Sequence, residues 1–153
     1  MLETGQAAPD FTLPRDGGDA VTLSDVRPSP VILFFYPKDD TSSCTKEAVS
    51  FTELSGAFEE AGVKVFGISK DTVAKHDKFR DKHSLSVPLL SDAETEVCEA
   101  YGVWKEKKMY GKTYMGIERT TVLIDGAGNV VQVWPKVRVP GHADAVLEAV
   151  KAM

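Results

Sequence analysis

Six consecutive apolar residues, Val31-Ile32-Leu33-Phe34-Phe35-Tyr36, stand out from an otherwise mixed pattern. Most are β-branched or aromatic, which predicts a strand buried on both faces. Pro37 ends it, because proline has no N–H to give a ladder. From Thr41 to about Ala61 the periodicity changes. Cys44, Ala48, Phe51, Leu54, Phe58 and Ala61 recur at three- and four-residue spacing, one apolar stripe of a helix. Thr41-Ser42-Ser43 offers candidate N-caps and Gly62 a terminator. Val63 to Ser69 reads as the next strand, so residues 31–69 form a βαβ unit with a right-handed crossover. Thr72 to His83 follows as a weakly amphipathic helix through Val73, His76, Phe79 and His83. Val87-Pro88-Leu89-Leu90 is a short strand, placed at a sheet edge by its proline.

On the N-terminal side, Phe11-Thr12-Leu13 and Ala20-Val21-Thr22-Leu23 flank a Gly-rich turn, a hairpin that decorates the main sheet. Ser24-Asp25 starts at most a single turn before Pro28 and Pro30. Further on, Ser91-Asp92-Ala93-Glu94 caps a third short helix carrying Val97, Cys98 and Tyr101, ended by Gly102. Trp104 to Gly116 reads as a long loop rich in lysine and glycine. Arg119 to Ile124 and Val130 to Trp134 are strands of a hairpin, and Ala143 to Ala152 is a closing helix. No repeat or linker divides residues 1–153, which form one domain. Strand–helix alternation followed by a hairpin and a helix predicts an α/β sandwich, a thioredoxin-like fold with an N-terminal β-hairpin extension.

Composition narrows the function classes. At 153 residues, 42% hydrophobic and 27% charged, the chain can bury a sizeable core. A net charge of −5 gives no reason to expect nucleic acid as a partner. The run from Lys105 to Lys112 is a local exception, and reads as a solvated loop or a docking patch. No signal peptide is visible, and no apolar run approaches the roughly 20 residues that span a bilayer. Two cysteines do not make a disulfide scaffold. A reducing cytoplasm is therefore the expected setting.

Cys44 falls in the first turn of a helix, beyond the carboxyl end of a central strand, where open α/β sheets collect reactive groups. A thiolate is the reactive form of cysteine, and a helix start favours an anion. Yet a thiol that ionises more readily is also a weaker nucleophile, with a Brønsted slope of about 0.4–0.5. A fast enzyme must in addition stabilise charge on its leaving group. Thr41, three residues earlier, carries a hydroxyl that can donate and accept. Arg119 opens a core strand, an odd place for a permanent cation without a partner. Glu47, one turn after Cys44, could orient it through a charge-assisted bond. The residues alone leave other readings open: a buried structural cysteine, a solvated arginine, a threonine that only caps. His76, His83 and His142 lack ligand spacing for a metal, and no Cys-X-X-Cys occurs.

Pro37-Lys38-Asp39-Asp40-Thr41-Ser42-Ser43-Cys44 resembles the peroxiredoxin pattern of proline, three residues, Thr or Ser, two residues, cysteine. Ala8-Pro9-Asp10-Phe11, then Ser69, Asp71, His76, Phe79, His83 and Leu89-Leu90-Ser91-Asp92, and then Tyr101-Gly102-Val103-Trp104 and Gly116-Ile117-Glu118-Arg119-Thr120-Thr121 are similar to the bacterioferritin-comigratory-protein (PrxQ) branch of that family. Trp134 through Val137 and Gly141-His142-Ala143 resemble its end. The resemblance implies a peroxidatic role for Cys44, with Thr41 and Arg119 activating the peroxide, Pro37 shielding the site and no cofactor. Cys44 would attack the O–O bond and become a sulfenic acid. Two departures stand out: Val49 occupies the position where many PrxQ members carry a resolving cysteine, and Ser43 replaces the usual glycine.

Cys98 is then the one intramolecular candidate to resolve the sulfenic acid, 54 residues from Cys44 on a different helix. A disulfide needs Cα atoms within about 7 Å, so both helices are expected to unwind during turnover. A packed Cys98 with a partner thiol resolving Cys44 remains the alternative. The implied substrates are hydrogen peroxide and alkyl hydroperoxides, with thioredoxin as reductant, no membrane partner and a monomeric chain. A redox sensor, in which Cys44 oxidation changes a partner surface, is the rival class.

Overall fold

The computed structural model describes residues 2–153. In chain order the strands are β1 (Thr12–Pro14), β2 (Ala20–Thr22), β3 (Val31–Phe35), β4 (Lys64–Ser69), β5 (Leu89–Ser91), β6 (Trp104–Met109), β7 (Lys112–Ile117), β8 (Thr120–Ile124) and β9 (Val130–Trp134). The helices are α1 (Ser42–Glu53), α2 (Ser55–Glu60), α3 (Val73–His83), α4 (Val97–Ala100) and α5 (His142–Lys151). A five-stranded sheet in the order β5-β4-β3-β8-β9 forms the centre. β3 lies parallel to β4 and antiparallel to β8, and β4 is parallel to β5. Every residue of β3 is buried, as its unbroken apolar run requires.

The alternation of β3 divides the core in two. Val31, Leu33 and Phe35 pack with Leu13, Leu23, Cys98, Tyr101 and Val103 on one face. Ile32, Phe34 and Tyr36 pack with Cys44, Phe51, Phe58, Phe79 and Val146 on the other. Successive side chains of a strand point to opposite faces, so the two clusters are separated by the sheet itself. One face is covered by α1, α3 and α5, the other by the N-terminal segment and α4. That hairpin also covers the free edge of β5: the Asp16 amide donates to the Leu89 carbonyl at 2.9 Å, and the Leu89 amide donates to Asp16 Oδ1 at 2.9 Å. An edge paired in this way is no template for another chain.

Three expectations need correction. The helix over residues 41–61 is broken at Leu54 (ψ 5°), where Ser55-Gly56 supplies weak helix formers, although the apolar stripe runs on through Phe58. Only Val97–Ala100 is helical around Cys98, because the capping Asp92 reaches forward to the amides of Val97 and Cys98 rather than starting a helix itself. Residues 104–116 are no loop but the hairpin of β6 and β7, turning at Tyr110-Gly111 with φ of 51° and 76°. Left-handed conformations at both central residues match the twist of a two-residue hairpin. Its strands are largely exposed, so no apolar alternation marks them.

Candidate active site

Tyr36, buried immediately after β3, donates its amide to the Ile68 carbonyl at 3.1 Å and extends the parallel ladder by one bond. The chain then turns through residues 37–40, with Asp40 left-handed at φ 60°, and enters α1. This puts Cys44 in the first helical turn, with 1% of its surface exposed. Facing it is Arg119, immediately before β8. Its Nη2 donates to Cys44 Sγ at 3.2 Å and its Nη1 to Glu47 Oε1 at 2.7 Å. Residues three apart share a helix face, so one planar guanidinium spans both partners. The Val137 amide donates to the Arg119 carbonyl at 2.9 Å and fixes the backbone from behind.

The electrostatics are those of a shared cation in a dry setting. Burial pushes the Glu47 carboxyl up to about 7, against the pull of Arg119. Among the described residues Glu47 Oε2 is buried without a hydrogen-bond partner. Burial would lower Arg119, but Glu47 and Cys44 outweigh it and raise its affinity for the proton. His142 accepts from or donates to Thr121 Oγ1 at 2.7 Å, and burial and then the Arg119 charge push it down to about 4. Lys107 reaches over from β6 to donate to the Ile117 carbonyl at 2.5 Å, and burial, followed by Arg119, lowers its pKa. The sequence alone reads Lys107 as part of a solvated loop or a docking patch. Its partner carbonyl lies two residues from Arg119, a proximity that only the hairpin register creates.

The other expected residues fall as follows. Thr41 is the N-cap residue of α1 and is exposed; its hydroxyl donates to the Lys38 carbonyl at 3.0 Å and makes no hydrogen bond to Cys44 among the described residues. Pro37 is exposed at the end of the strand. Cys98 is fully buried on the opposite face of the sheet from Cys44. Its amide donates to Asp92 Oδ2 at 2.8 Å, and burial followed by Asp92 pushes its thiol pKa far up. Lys70 holds the same segment, donating to the Thr95 carbonyl at 3.0 Å and pairing with Glu99 at 2.8 Å.

A buried polar network under the Cys44 turn was not legible as such. Asp39 accepts from the Tyr36 hydroxyl at 2.6 Å and faces His76 Nδ1 at 2.6 Å, while its amide donates to Asp71 Oδ2 at 2.8 Å. Asp71 in turn accepts from Ser69 Oγ at 2.7 Å. The available signal was the pairing of a turn aspartate with a histidine on an apolar helix stripe.

Comparison with known proteins gives the family. Residues 4–133 match the AhpC/TSA family. The chain is 45% identical over 152 residues to peroxiredoxin Bcp of Bacillus subtilis, covering 99% of this chain and 97% of that one. Among solved structures it is similar to the Xanthomonas campestris bacterioferritin comigratory protein, described for its alkyl peroxide reduction activity, at 45% identity and TM-score 0.91 over 99% of this chain and 97% of that one. A Xylella fastidiosa PrxQ superposes at TM-score 0.94 and 38% identity, over 99% and 97% of the two chains. A cysteine at a helix start, held by an arginine from a distant strand on a thioredoxin-like sheet, thus sits in a chain that belongs to the AhpC/TSA family, in its Bcp/PrxQ peroxiredoxin branch.

Proposed function

We propose that this chain reduces hydrogen peroxide and organic hydroperoxides with Cys44 as the peroxidatic nucleophile. The observation that carries the reading is the Arg119 fork, one arm on Cys44 Sγ and the other on buried Glu47. Cys44 sulfur attacks the terminal peroxide oxygen, the O–O bond breaks, and the product is a sulfenic acid plus water or an alcohol. Arg119 is placed to stabilise negative charge on sulfur before the step and on oxygen as the bond breaks. Thr41, at the mouth of the helix, is the expected hydroxyl contact for the incoming peroxide, and Pro37 its screen from water. A sensor needs a reactive sulfur but not a donor for the leaving oxygen; the fork favours the enzyme. Peroxide consumption coupled to thioredoxin and NADPH oxidation is the test, and full turnover in Cys44→Ser would refute it.

The resolving step belongs to the same proposal. With Cys98 as resolver, the first turn of α1 and the four residues of α4 must both unwind and meet around the carboxyl edge of the sheet. Leaving its buried setting, and with it Asp92, would also return the Cys98 thiol towards its ordinary acidity, so release and activation coincide. A second reading, an external thiol attacking Cys44, is favoured by one observation: the intact sheet stands between the two cysteines. Peptide mapping after one equivalent of peroxide separates them, because only the first gives a Cys44–Cys98 linked peptide. Thioredoxin as reductant, a monomeric state and a cytoplasmic location are parts of this proposal. Among the described residues no helix is long and apolar enough to cross a membrane.

A further inference from the structure

His76 lies on α3, is fully buried, and is used by nothing in the chemistry above. Its Nε2 is 2.9 Å from the Leu90 carbonyl oxygen, and its Nδ1 is 2.6 Å from Asp39 Oδ2. A carbonyl only accepts, so Nε2 carries a hydrogen. Two lone pairs cannot face each other at 2.6 Å, so a second proton sits between Nδ1 and the carboxylate. The Tyr36 hydroxyl donates to the other oxygen of Asp39, which favours the ionised carboxylate and places that proton on the ring. The side chain is thus a buried imidazolium, bonded at both nitrogens.

What it holds is the turn between β3 and α1. Asp39 is fixed by His76 from α3, by Tyr36 from the end of β3, and through its amide by Asp71 from beyond β4. Asp40, next in the chain, pairs with Lys82 and His83 of the last turn of α3, both at 2.8 Å. Four residues after Asp40, Cys44 meets Arg119. We propose that His76 is a positioning residue for Cys44: its imidazolium clamps Asp39 to α3 and β5 and so holds the turn in the conformation that sets Cys44 against Arg119. The proposal rests on the peroxidase reading and adds a consequence. Opening α1 for any reductant to reach Cys44 means releasing this clamp.

The charged and titratable groups facing His76 are Asp39 from the turn, Tyr36 from the end of β3 and Asp71 from the segment after β4, with the Leu90 carbonyl from β5. Burial works against the charged ring, and the Asp39 hydrogen bond and charge outweigh it. The ring is charged by virtue of its two bonds, and the clamp is lost as pH rises through the ring's raised folded-state pKa, giving an alkaline limb to Cys44 oxidation.

Two measurements test this. Nitrogen-detected NMR of the histidine rings in the reduced wild-type protein should show both His76 nitrogens protonated from pH 6 through about pH 8. Loss of one proton in the ordinary range around pH 6.5 would overturn the clamp, whatever the enzyme assay shows. In stopped-flow oxidation by hydrogen peroxide, His76→Phe should slow Cys44 by about tenfold or more and abolish the alkaline limb, while Phe79→Leu, a core change on the same helix, should stay within about twofold. Equal slowing in the two variants would reduce His76 to a packing residue. A wild-type protein that does not react with peroxide would sink the proposed function while leaving the NMR result to decide the clamp.

Discussion

Arg119 joins two partners, and removing it should have two separable effects. In Arg119→Leu, Glu47 is left as a buried carboxyl with neither counter-ion nor hydrogen bond, its Oε2 being unpartnered already. Breaking a buried ion pair from one side costs about 3–5 kcal/mol. The double variant Arg119→Leu with Glu47→Leu replaces both charges by apolar groups of similar volume, a change that is often neutral or stabilising by about 1–4 kcal/mol. Catalysis should not follow stability. Both variants lack the donor 3.2 Å from Cys44 Sγ, and losing one preorganised donor costs about 100- to 1,000-fold in rate. Urea denaturation at pH 8 should thus show the single variant destabilised and the double restored, while stopped-flow oxidation by hydrogen peroxide shows both slowed alike. Recovery of the rate together with stability in the double variant would refute the argument, since Arg119 would then act by holding the fold alone.

Further expectations follow from single observations. His142, pushed down from 6.5 to about 4, binds its proton in the unfolded chain well before it does in the native one. Stability contributed by its neutral ring is present above pH 6.5 and is lost as pH falls towards 4, by about 3 kcal/mol; urea midpoints against pH should show that slope, flattened in His142→Gln, and an unchanged slope counts against it. A Cβ on Gly67 would lie 2.7 Å from Phe34 Cζ, so Gly67→Ala should overpack the core and cost about 1–3 kcal/mol in thermal unfolding. Asp92 accepts from Thr95 and from the amides of Val97 and Cys98. Asp92→Ala should therefore loosen α4 and speed iodoacetamide labelling of Cys98 in the reduced protein; labelling no faster than wild type would show that packing, not the cap, protects it.

Much of the frame was legible because it rests on periodicity. The run from Val31 to Tyr36 and the stripe from Cys44 to Phe58 specify a buried strand and a half-buried helix by spacing alone, and the proline and glycine punctuation between them sets the boundaries. The hairpin of β6 and β7 escaped because spacing carries no signal where neither face is covered. It is held by its own ladder and by a left-handed turn that Tyr110-Gly111 does not announce as clearly as Asn-Gly would. Arg119 and Glu47 were recognisable as a cation and a carboxylate in unusual places. The role of His76 on α3 was not, because a clamp built from a turn, a helix and a strand carbonyl exists only once all three have been brought to one edge of the sheet.

Which face each cysteine occupies is the instructive case, because topology contains the answer even though local pattern does not. A right-handed crossover from β3 to β4 places α1, and with it Cys44, on one face. After β5 the chain stands at an edge and must return across β4 and β3 to reach β8 on the far side. α1, α3 and, later in the chain, α5 cover one face, while the return runs over the opposite one, and α4 with Cys98 lies along that path. The separation of the two thiols is therefore a consequence of strand order and would survive any side-chain repacking that preserves the fold. Only unwinding at the shared carboxyl edge, where Asp39, Asp71 and Asp92 are tied to Tyr36 and Ser69 at the ends of β3 and β4 and Asp92 accepts from the Cys98 amide, can bring them together. Under the proposed resolution by Cys98, variants that weaken those anchors should thus alter the yield of the Cys44–Cys98 linked peptide before they alter urea denaturation of the core.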